Sequence, residues 1–131
     1  MHIQQCEIIL YVANQKISRD FYSSVLQKEP DLEVPGMTEF TLTNELKLGL
    51  MPENGIAKIL KDKTPHPALG NGIPRCELYL MVDSIEEDYE FALKAGAKEI
   101  SPIQVRDWGD RVGYVADPDG HIIAFAQRIT R

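Results

Sequence analysis

Apolar and polar positions follow a similar pattern in two short segments of the chain. Residues 6–12 are Cys-Glu-Ile-Ile-Leu-Tyr-Val, and residues 76–82 are Cys-Glu-Leu-Tyr-Leu-Met-Val. Both segments are short, apolar and rich in β-forming residues, so each is predicted to be a strand. The similarity continues at the same spacing into the next segment, where Phe21 is matched by Phe91. This continuation favours an internal repeat with two copies.

A helix is predicted after each of these two strands. In the first copy, Asn14 is a candidate N-cap, and apolar residues at helical spacing continue within residues 15–27. In the second copy, Ser84 and Glu87 have the spacing of a capping box. Gly96 is expected to end the second helix, because glycine readily adopts the left-handed conformation that follows a helix.

Three further strands are predicted after each helix. They are expected at about residues 29–34, 37–43 and 46–51 in the first copy, and at about 98–105, 111–116 and 121–127 in the second. The segment Asp117-Pro118-Asp119-Gly120 suits a type I turn before the last strand. The chain is therefore predicted to be one domain of 131 residues with the order β-α-β-β-β twice. Its parts are module one at about 5–52, a connector at 53–74 and module two at about 75–128.

Alternation of side chains between the two faces of a strand assigns residues to a helix-facing side and to an opposite side. Cys6 and Cys76 fall on the apolar, helix-facing side, and they are expected to be buried thiols. The opposite side of the first strand carries a glutamate and a tyrosine in each module: Glu7 and Tyr11 in the first, Glu77 and Tyr79 in the second.

The last strand of each module contributes further residues to the same side, with Lys47 and Gly49 in module one and Ala124 in module two. The small residues at positions 49 and 124 leave room for a ligand. A carboxylate is costly to bury unless something compensates its charge. Glu7 and Glu77 are therefore the candidate catalytic residues, and the alternative is that they are solvated or paired with Lys47.

The composition of the chain argues against nucleic acid and membranes as binding partners. The chain has 14 Lys and Arg against 20 Asp and Glu, a net charge of −6, which argues against a surface that binds nucleic acid. The longest apolar run, residues 8–13, is far shorter than the roughly 20 residues of a membrane-spanning helix. With two cysteines and no signal-peptide pattern, a cytoplasmic location is expected, without a membrane partner.

Several motifs together resemble those of one known superfamily. They are Leu10-Tyr11-Val12, Phe21-Tyr22 with Val25-Leu26, Leu46 with Leu48-Gly49-Leu50, and Gly113-Tyr114 with Asp117-Pro118-Asp119-Gly120-His121. With these motifs the chain resembles the glyoxalase/bleomycin-resistance/dioxygenase superfamily, also called the vicinal oxygen chelate proteins. The resemblance implies an α+β fold in which two tandem βαβββ modules form an incomplete barrel with a central cup and helices on the outside. It also implies a homodimer.

Members of this superfamily place metal ligands at four positions of the cup, which the resemblance maps onto Glu7, Gly49, Glu77 and Ala124. Glycine and alanine have no donor atom, and catalytic metal sites usually have three or more protein ligands. No metal ion or other cofactor is therefore expected. If a divalent ion binds, Glu7 and Glu77 are the residues that would hold it.

Trp108, the only tryptophan, lies in the segment Arg106-Asp107-Trp108-Gly109-Asp110-Arg111. It is either an aromatic wall for a ligand or an apolar anchor for its loop. The predicted ligand-binding residues are Tyr11, Lys47, Tyr79, Trp108 and Arg111. An apolar cup with carboxylates in an acidic protein suits a cationic or amphipathic ligand.

The resemblance and the missing metal ligands together favour a metal-free protein that binds small molecules, like the drug-sequestering members of the superfamily. One alternative is a metal-dependent lyase or isomerase of the glyoxalase type, with Glu7 and Glu77 on a divalent ion and one of them moving a proton. A second alternative is a non-catalytic interaction domain, because a fold does not imply a function.

Overall fold

The computed structural model describes residues 1–129. Contacts within the chain divide it into two compact units, one from Met1 to Asn71 and one that begins at Gly72. No helix among the described residues has the length and apolar character needed to cross a membrane. Each unit contains the predicted βαβββ order, which confirms the α+β class.

The first unit contains one four-stranded mixed sheet. Its elements are β1 (Cys6–Val12), α1 (Gln15–Leu26), β2 (Leu32–Val34), β3 (Met37–Thr43), β4 (Leu46–Pro52), α2 (Glu53–Leu60) and two 3-10 turns, Lys61–Lys63 and Pro67–Gly70. The strand order is β1-β4-β3-β2, with β1 parallel to β4 and the other pairs antiparallel. β2 begins later than predicted, since Pro30 has no N–H group to donate to the ladder.

The second unit repeats this topology. Its elements are β5 (Glu77–Met81), α3 (Ile85–Lys94), β6 (Lys98–Val105), β7 (Asp110–Ala116) and β8 (Ile122–Arg128). The strand order is β5-β8-β7-β6, and again only the first strand is parallel to its neighbour. The predicted turn before β8 is confirmed, because the N–H of Gly120 donates to the carbonyl of Asp117 at 3.0 Å.

The two helix N-termini differ in how they are capped. The side chain of Asn14 accepts a hydrogen bond from the N–H of Ile17 at 2.9 Å, as predicted. Ser84 makes no side-chain capping bond, so the predicted capping box with Glu87 is wrong. The ψ angle of Ser84 is 74°, which departs from the extended conformation of a typical N-cap. Acidic residues in the first turn of α3 stabilise its N-terminus instead.

The core of each unit lies between its helix and one face of its sheet. In the first unit Phe40, Leu48 and Leu50 are fully buried on that face. In the second unit the rings of Tyr89 on α3 and Phe125 on β8 meet edge to face, with centroids 6.5 Å apart. The opposite face carries charged side chains in the first unit, whereas in the second unit it also buries the apolar side chains of Val112, Ala124 and Ala126.

The prediction of buried thiols is wrong, because both Cys6 and Cys76 are exposed. Cys6 is the first residue of β1, and Cys76 comes immediately before β5. β1 and β5 are edge strands of their sheets. A residue at the end of an edge strand has few neighbours, and the apolar pattern of the strand does not reveal this.

Candidate functional site

Three neighbouring strands bring charged side chains together on the helix-free face of the first sheet. Glu7 on β1 is paired in register with Lys47 on β4, and Gly49 on β4 is paired with Glu39 on β3. Because the intervening Leu48 points into the core, Lys47 and Gly49 share the opposite face. We call the residues Glu7, Glu39 and Lys47 the charged row.

Glu7 reaches across β4 by lying over the backbone of Gly49. A Cβ atom at position 49 would be 2.5 Å from Oε2 of Glu7, so any other residue there would force this carboxyl group to shift. Oε2 is buried and has no hydrogen-bond partner among the described residues when the carboxyl is ionised. The space expected at Gly49 is therefore filled by Glu7 and is not left open for a ligand.

The neighbours of Glu7 determine its acidity. Burial is the largest effect that raises the pKa of Glu7, followed by the hydrogen bond and negative charge of Glu39, while the charge of Lys47 lowers this pKa. The ammonium Nζ of Lys47 lies 3.7 Å from Oε1 of Glu39. A Glu7 that keeps its proton can donate a hydrogen bond to Glu39.

In the second unit, three side chains form a hydrogen-bonded chain on the helix-free face. The indole Nε1 of Trp108 donates to the hydroxyl of Tyr79 at 2.8 Å, and this hydroxyl donates to Oδ2 of Asp110 at 2.6 Å. Burial, and then the bond to Asp110, raises the pKa of Tyr79. We call these three residues the aromatic–acid chain.

Exposure varies strongly along the aromatic–acid chain. Trp108 is 54% exposed and Tyr79 is 38% exposed, whereas Asp110 is buried at 8%. Beside them, Ala124 is paired in register with both Tyr79 and Tyr114. Ala124 is fully buried in a cluster with Val112 and Ala126, and Tyr114 packs against this cluster.

Arg106 holds the loop that carries Trp108. Its guanidinium donates to the carbonyls of Val112 and Pro102, both at 2.9 Å, and lies 5.2 Å from the ring centroid of Tyr114. Within the same loop, the N–H of Gly109 donates to the carbonyl of Arg106 at 3.1 Å. Arg106 thus positions the loop through these hydrogen bonds, and it is not part of the exposed surface around Trp108.

Sequence reasoning missed Glu39, Asp110 and Arg106. The first two could have been found by extending strand alternation to residues 37–43 and 110–116, since each lies on the helix-free face of its strand. Nothing in the local pattern indicates Arg106, because its bonds depend on the path of the β6–β7 loop.

Three other predicted site residues belong to neither the charged row nor the aromatic–acid chain. Arg111 lies on the helix-facing side of β7, where its guanidinium pairs with Glu86 of α3 and donates to Gln127 at 3.1 Å. Although it directly follows Asp110 in β7, its side chain lies on the other face of the sheet from the aromatic–acid chain. Glu77 is exposed on β5 of the second unit. Tyr11 is a partly exposed neighbour of Met51.

The residues at the four positions of the superfamily's metal site do not fit a metal centre. Gly49 and Ala124 have no donor atom, and the carboxyl of Glu7 faces Glu39 and Lys47. Among residues 1–129, no group of three or more His, Cys, Asp and Glu residues could hold a metal ion. A catalytic metal usually needs such a set.

Comparisons with known proteins agree with this fold. The chain is 28% identical over 117 residues to an uncharacterised protein of Mycobacterium bovis, covering 84% of this chain and 74% of that protein. A glyoxalase-related enzyme from Fulvimarina pelagi superposes with a TM-score of 0.80 at 22% identity, covering 95% of this chain and 88% of the other. A glyoxalase/bleomycin resistance protein/dioxygenase from Nocardioides gives 0.78 at 19% identity, covering 98% and 85%.

The family model for the glyoxalase-like domain matches residues 5–130, which is nearly the whole chain. This match covers both βαβββ modules and the turn at Asp117–Gly120 that precedes β8. The protein therefore belongs to the glyoxalase-like family, within the glyoxalase/bleomycin-resistance/dioxygenase superfamily.

Proposed function

We propose that this protein is a metal-independent small-molecule-binding member of its family and that its ligand binds on the helix-free face of the second sheet. The aromatic–acid chain of Trp108, Tyr79 and Asp110 is the observation that carries the proposal. Two of its members, Trp108 and Tyr79, expose aromatic surface, and aromatic side chains commonly line small-molecule sites.

The hydrogen bonds within the chain determine what it can offer a ligand. The one N–H group of Trp108 is already donated to Tyr79, and the hydroxyl hydrogen of Tyr79 is donated to Asp110. What remains for a ligand is the π face of each ring. Such faces attract flat aromatic groups and cations.

Negative charge at and around the aromatic–acid chain favours a cationic ligand over a neutral aromatic ligand. Asp110 supplies a carboxylate behind Tyr79, and the whole chain has a net charge of −6. A buried carboxylate makes the tyrosine and indole more attractive to positive charge through the bonds that join them. We infer that the ligand class is a planar aromatic cation, and that the protein sequesters it.

The single tryptophan provides a direct test. Trp108 fluorescence would be titrated with N-methylquinolinium and, as the neutral control, with quinoline at neutral pH. We expect saturable quenching by the cation in the presence of EDTA. Asp110→Asn should weaken cation binding about tenfold, while Asp107→Asn, which removes the same charge from an exposed loop residue, should not. Equal affinity for cation and neutral ring, or no saturable quenching, would contradict the proposal.

The alternative function, that of an enzyme, would be recognised by turnover that depends on a metal ion. A lyase or isomerase of the glyoxalase type would turn over a thiol adduct of a small aldehyde only with an added divalent ion. Loss of that turnover in Glu7→Gln and Glu77→Gln would favour the enzyme over the binding protein.

We also infer a homodimer, because the edge strand β1 exposes apolar side chains, including Ile9 and Tyr11.

A further inference from the structure

The loop between β6 and β7 is a tight turn that is closed by the main chain of Arg106. The N–H of Gly109 donates to the carbonyl of Arg106 at 3.1 Å, and the N–H of Arg106 donates to the carbonyl of Asp110 at 2.8 Å. Gly109 has a φ angle of 92°, a conformation that glycine adopts without strain. Trp108 lies inside this turn, so the conformation of the turn determines where its indole is placed.

The guanidinium group of Arg106 joins an irregular part of β6 to β7. The register of these two strands shifts between Ser101 and Gln104, where Pro102 has no N–H group to donate. The guanidinium donates to the hydroxyl of Ser101 at 3.0 Å, and to the carbonyls of Pro102 and Val112 at 2.9 Å each. One side chain thus links the two strands that lead into and out of the turn.

Arginine suits this role because its planar group presents several N–H donors in fixed directions, whereas the ammonium group of lysine lacks this planar geometry. The side chain of Trp108 is 54% exposed, so its own burial contributes little to holding it in place. Its position therefore depends on the turn that Arg106 stabilises and on the hydrogen bond to Tyr79.

We propose that Arg106 is a positioning residue for ligand binding, which orders the turn that carries Trp108 and so raises the affinity of the aromatic–acid chain for a planar cation. This inference rests on the proposed function, since it concerns the same site. A site that is ordered in only a fraction of the molecules binds with an apparent affinity reduced by that fraction. Loss of the hydrogen bonds from Arg106 lowers the ordered fraction.

Charge and positioning predict opposite effects of removing Arg106. A positive charge in the loop opposes a cationic ligand, so an effect through charge alone would make Arg106→Met bind N-methylquinolinium more tightly. Positioning predicts weaker binding. We expect Arg106→Met to weaken binding about tenfold, which corresponds to an ordered turn in about one tenth of the molecules. Quenching of Trp108 measures the affinity, at a temperature where each variant is folded.

Two further variants separate positioning from charge. Arg106→Lys keeps the charge and loses the planar group, so it should also bind more weakly than the wild type. Arg75→Met removes the same charge from an exposed residue outside the loop, and it should not weaken binding. Without ligand, the time-resolved anisotropy of Trp108, the only tryptophan, should show more fast motion in Arg106→Met than in Arg75→Met.

The outcomes distinguish this inference from the proposed function. Unchanged or tighter binding by Arg106→Met, beside a wild type that binds the cation, would overturn the inference and leave the proposed function standing. Wild-type affinity in Arg106→Lys would overturn it as well, and this variant serves as the test if Arg106→Met does not fold. Absence of saturable quenching in the wild type would overturn the proposed function and the inference together.

Discussion

The carboxyl group of Glu7 occupies the space where a side chain at position 49 would begin. A Cβ atom on Gly49 would lie 2.5 Å from Oε2 of Glu7 and 3.1 Å from the side chain of Ile9. The absence of a side chain at position 49 allows Glu7 to approach Glu39 across β4.

Gly49→Ala should destabilise the protein by at most about 1 kcal/mol, because the new methyl group displaces only the flexible end of the Glu7 side chain. Gly55→Ala is the matched control, since its new Cβ would meet nothing closer than 3.9 Å within helix α2. The control should be neutral or stabilised by roughly 0.5–1 kcal/mol. Urea unfolding measures both. In Gly49→Ala/Glu7→Ala the loss should be smaller than the sum of the single changes, and strict additivity would contradict the contact.

Glu7→Gln should be more stable than the wild type at neutral pH. The folded-state pKa of Glu7 is raised above its ordinary value of 4.5, so folding opposes the loss of its proton. The wild type therefore loses stability as the pH rises from 4.5 through the raised pKa, and Gln does not titrate. The advantage of the variant should shrink towards zero as the pH falls below 4.5, as measured by urea unfolding across this range. A constant difference at every pH would refute this cause.

In Tyr79→Phe the indole of Trp108 loses its hydrogen-bond acceptor. Asp110 loses the hydroxyl group that donates a hydrogen bond to it. We expect a loss of about 1–2 kcal/mol in stability, together with lower fluorescence anisotropy of the single tryptophan. Tyr114→Phe is the control, because the structure gives the Tyr114 hydroxyl no hydrogen bond among the described residues while its ring keeps the contact with Arg106. Equal anisotropy in the two variants would argue against the aromatic–acid chain.

Arg111→Met should leave the affinity for N-methylquinolinium unchanged within about twofold. Arg111 lies on the helix-facing side of β7 and pairs with Glu86. Loss of this partly exposed ion pair should cost at most about 1 kcal/mol of stability. Trp108 quenching and thermal unfolding test the two statements. A tenfold loss of affinity would return Arg111 to the ligand site that the sequence assigned to it.

Light scattering after gel filtration should give twice the 14.8 kDa mass of one chain. Ile9→Lys places a charge on the exposed edge strand β1 and should shift the protein towards the monomer. Ile59→Lys, an exposed isoleucine on helix α2, should leave the mass unchanged. A monomeric wild type at high concentration would contradict the homodimer.

Most of the secondary structure could be predicted because it depends on local patterns. Three of these patterns involve residues that are only a few positions apart: the period-two alternation in β1 and β5, the Asn14 cap, and the turn at Asp117–Gly120. Alternation also assigned Glu7, Lys47 and Tyr79 to the helix-free face. The Ser84 capping box failed despite its spacing, because capping depends on a backbone angle that spacing does not determine.

The sequence by itself thus determined the repeat, the order of elements and the face on which most candidate residues lie, since all three follow from short-range periodicity. Only the tertiary structure decided which of those residues meet. Strand order and register pair Gly49 with Glu39 and turn Arg111 towards α3. These are contacts between residues distant in sequence, and no local pattern encodes them.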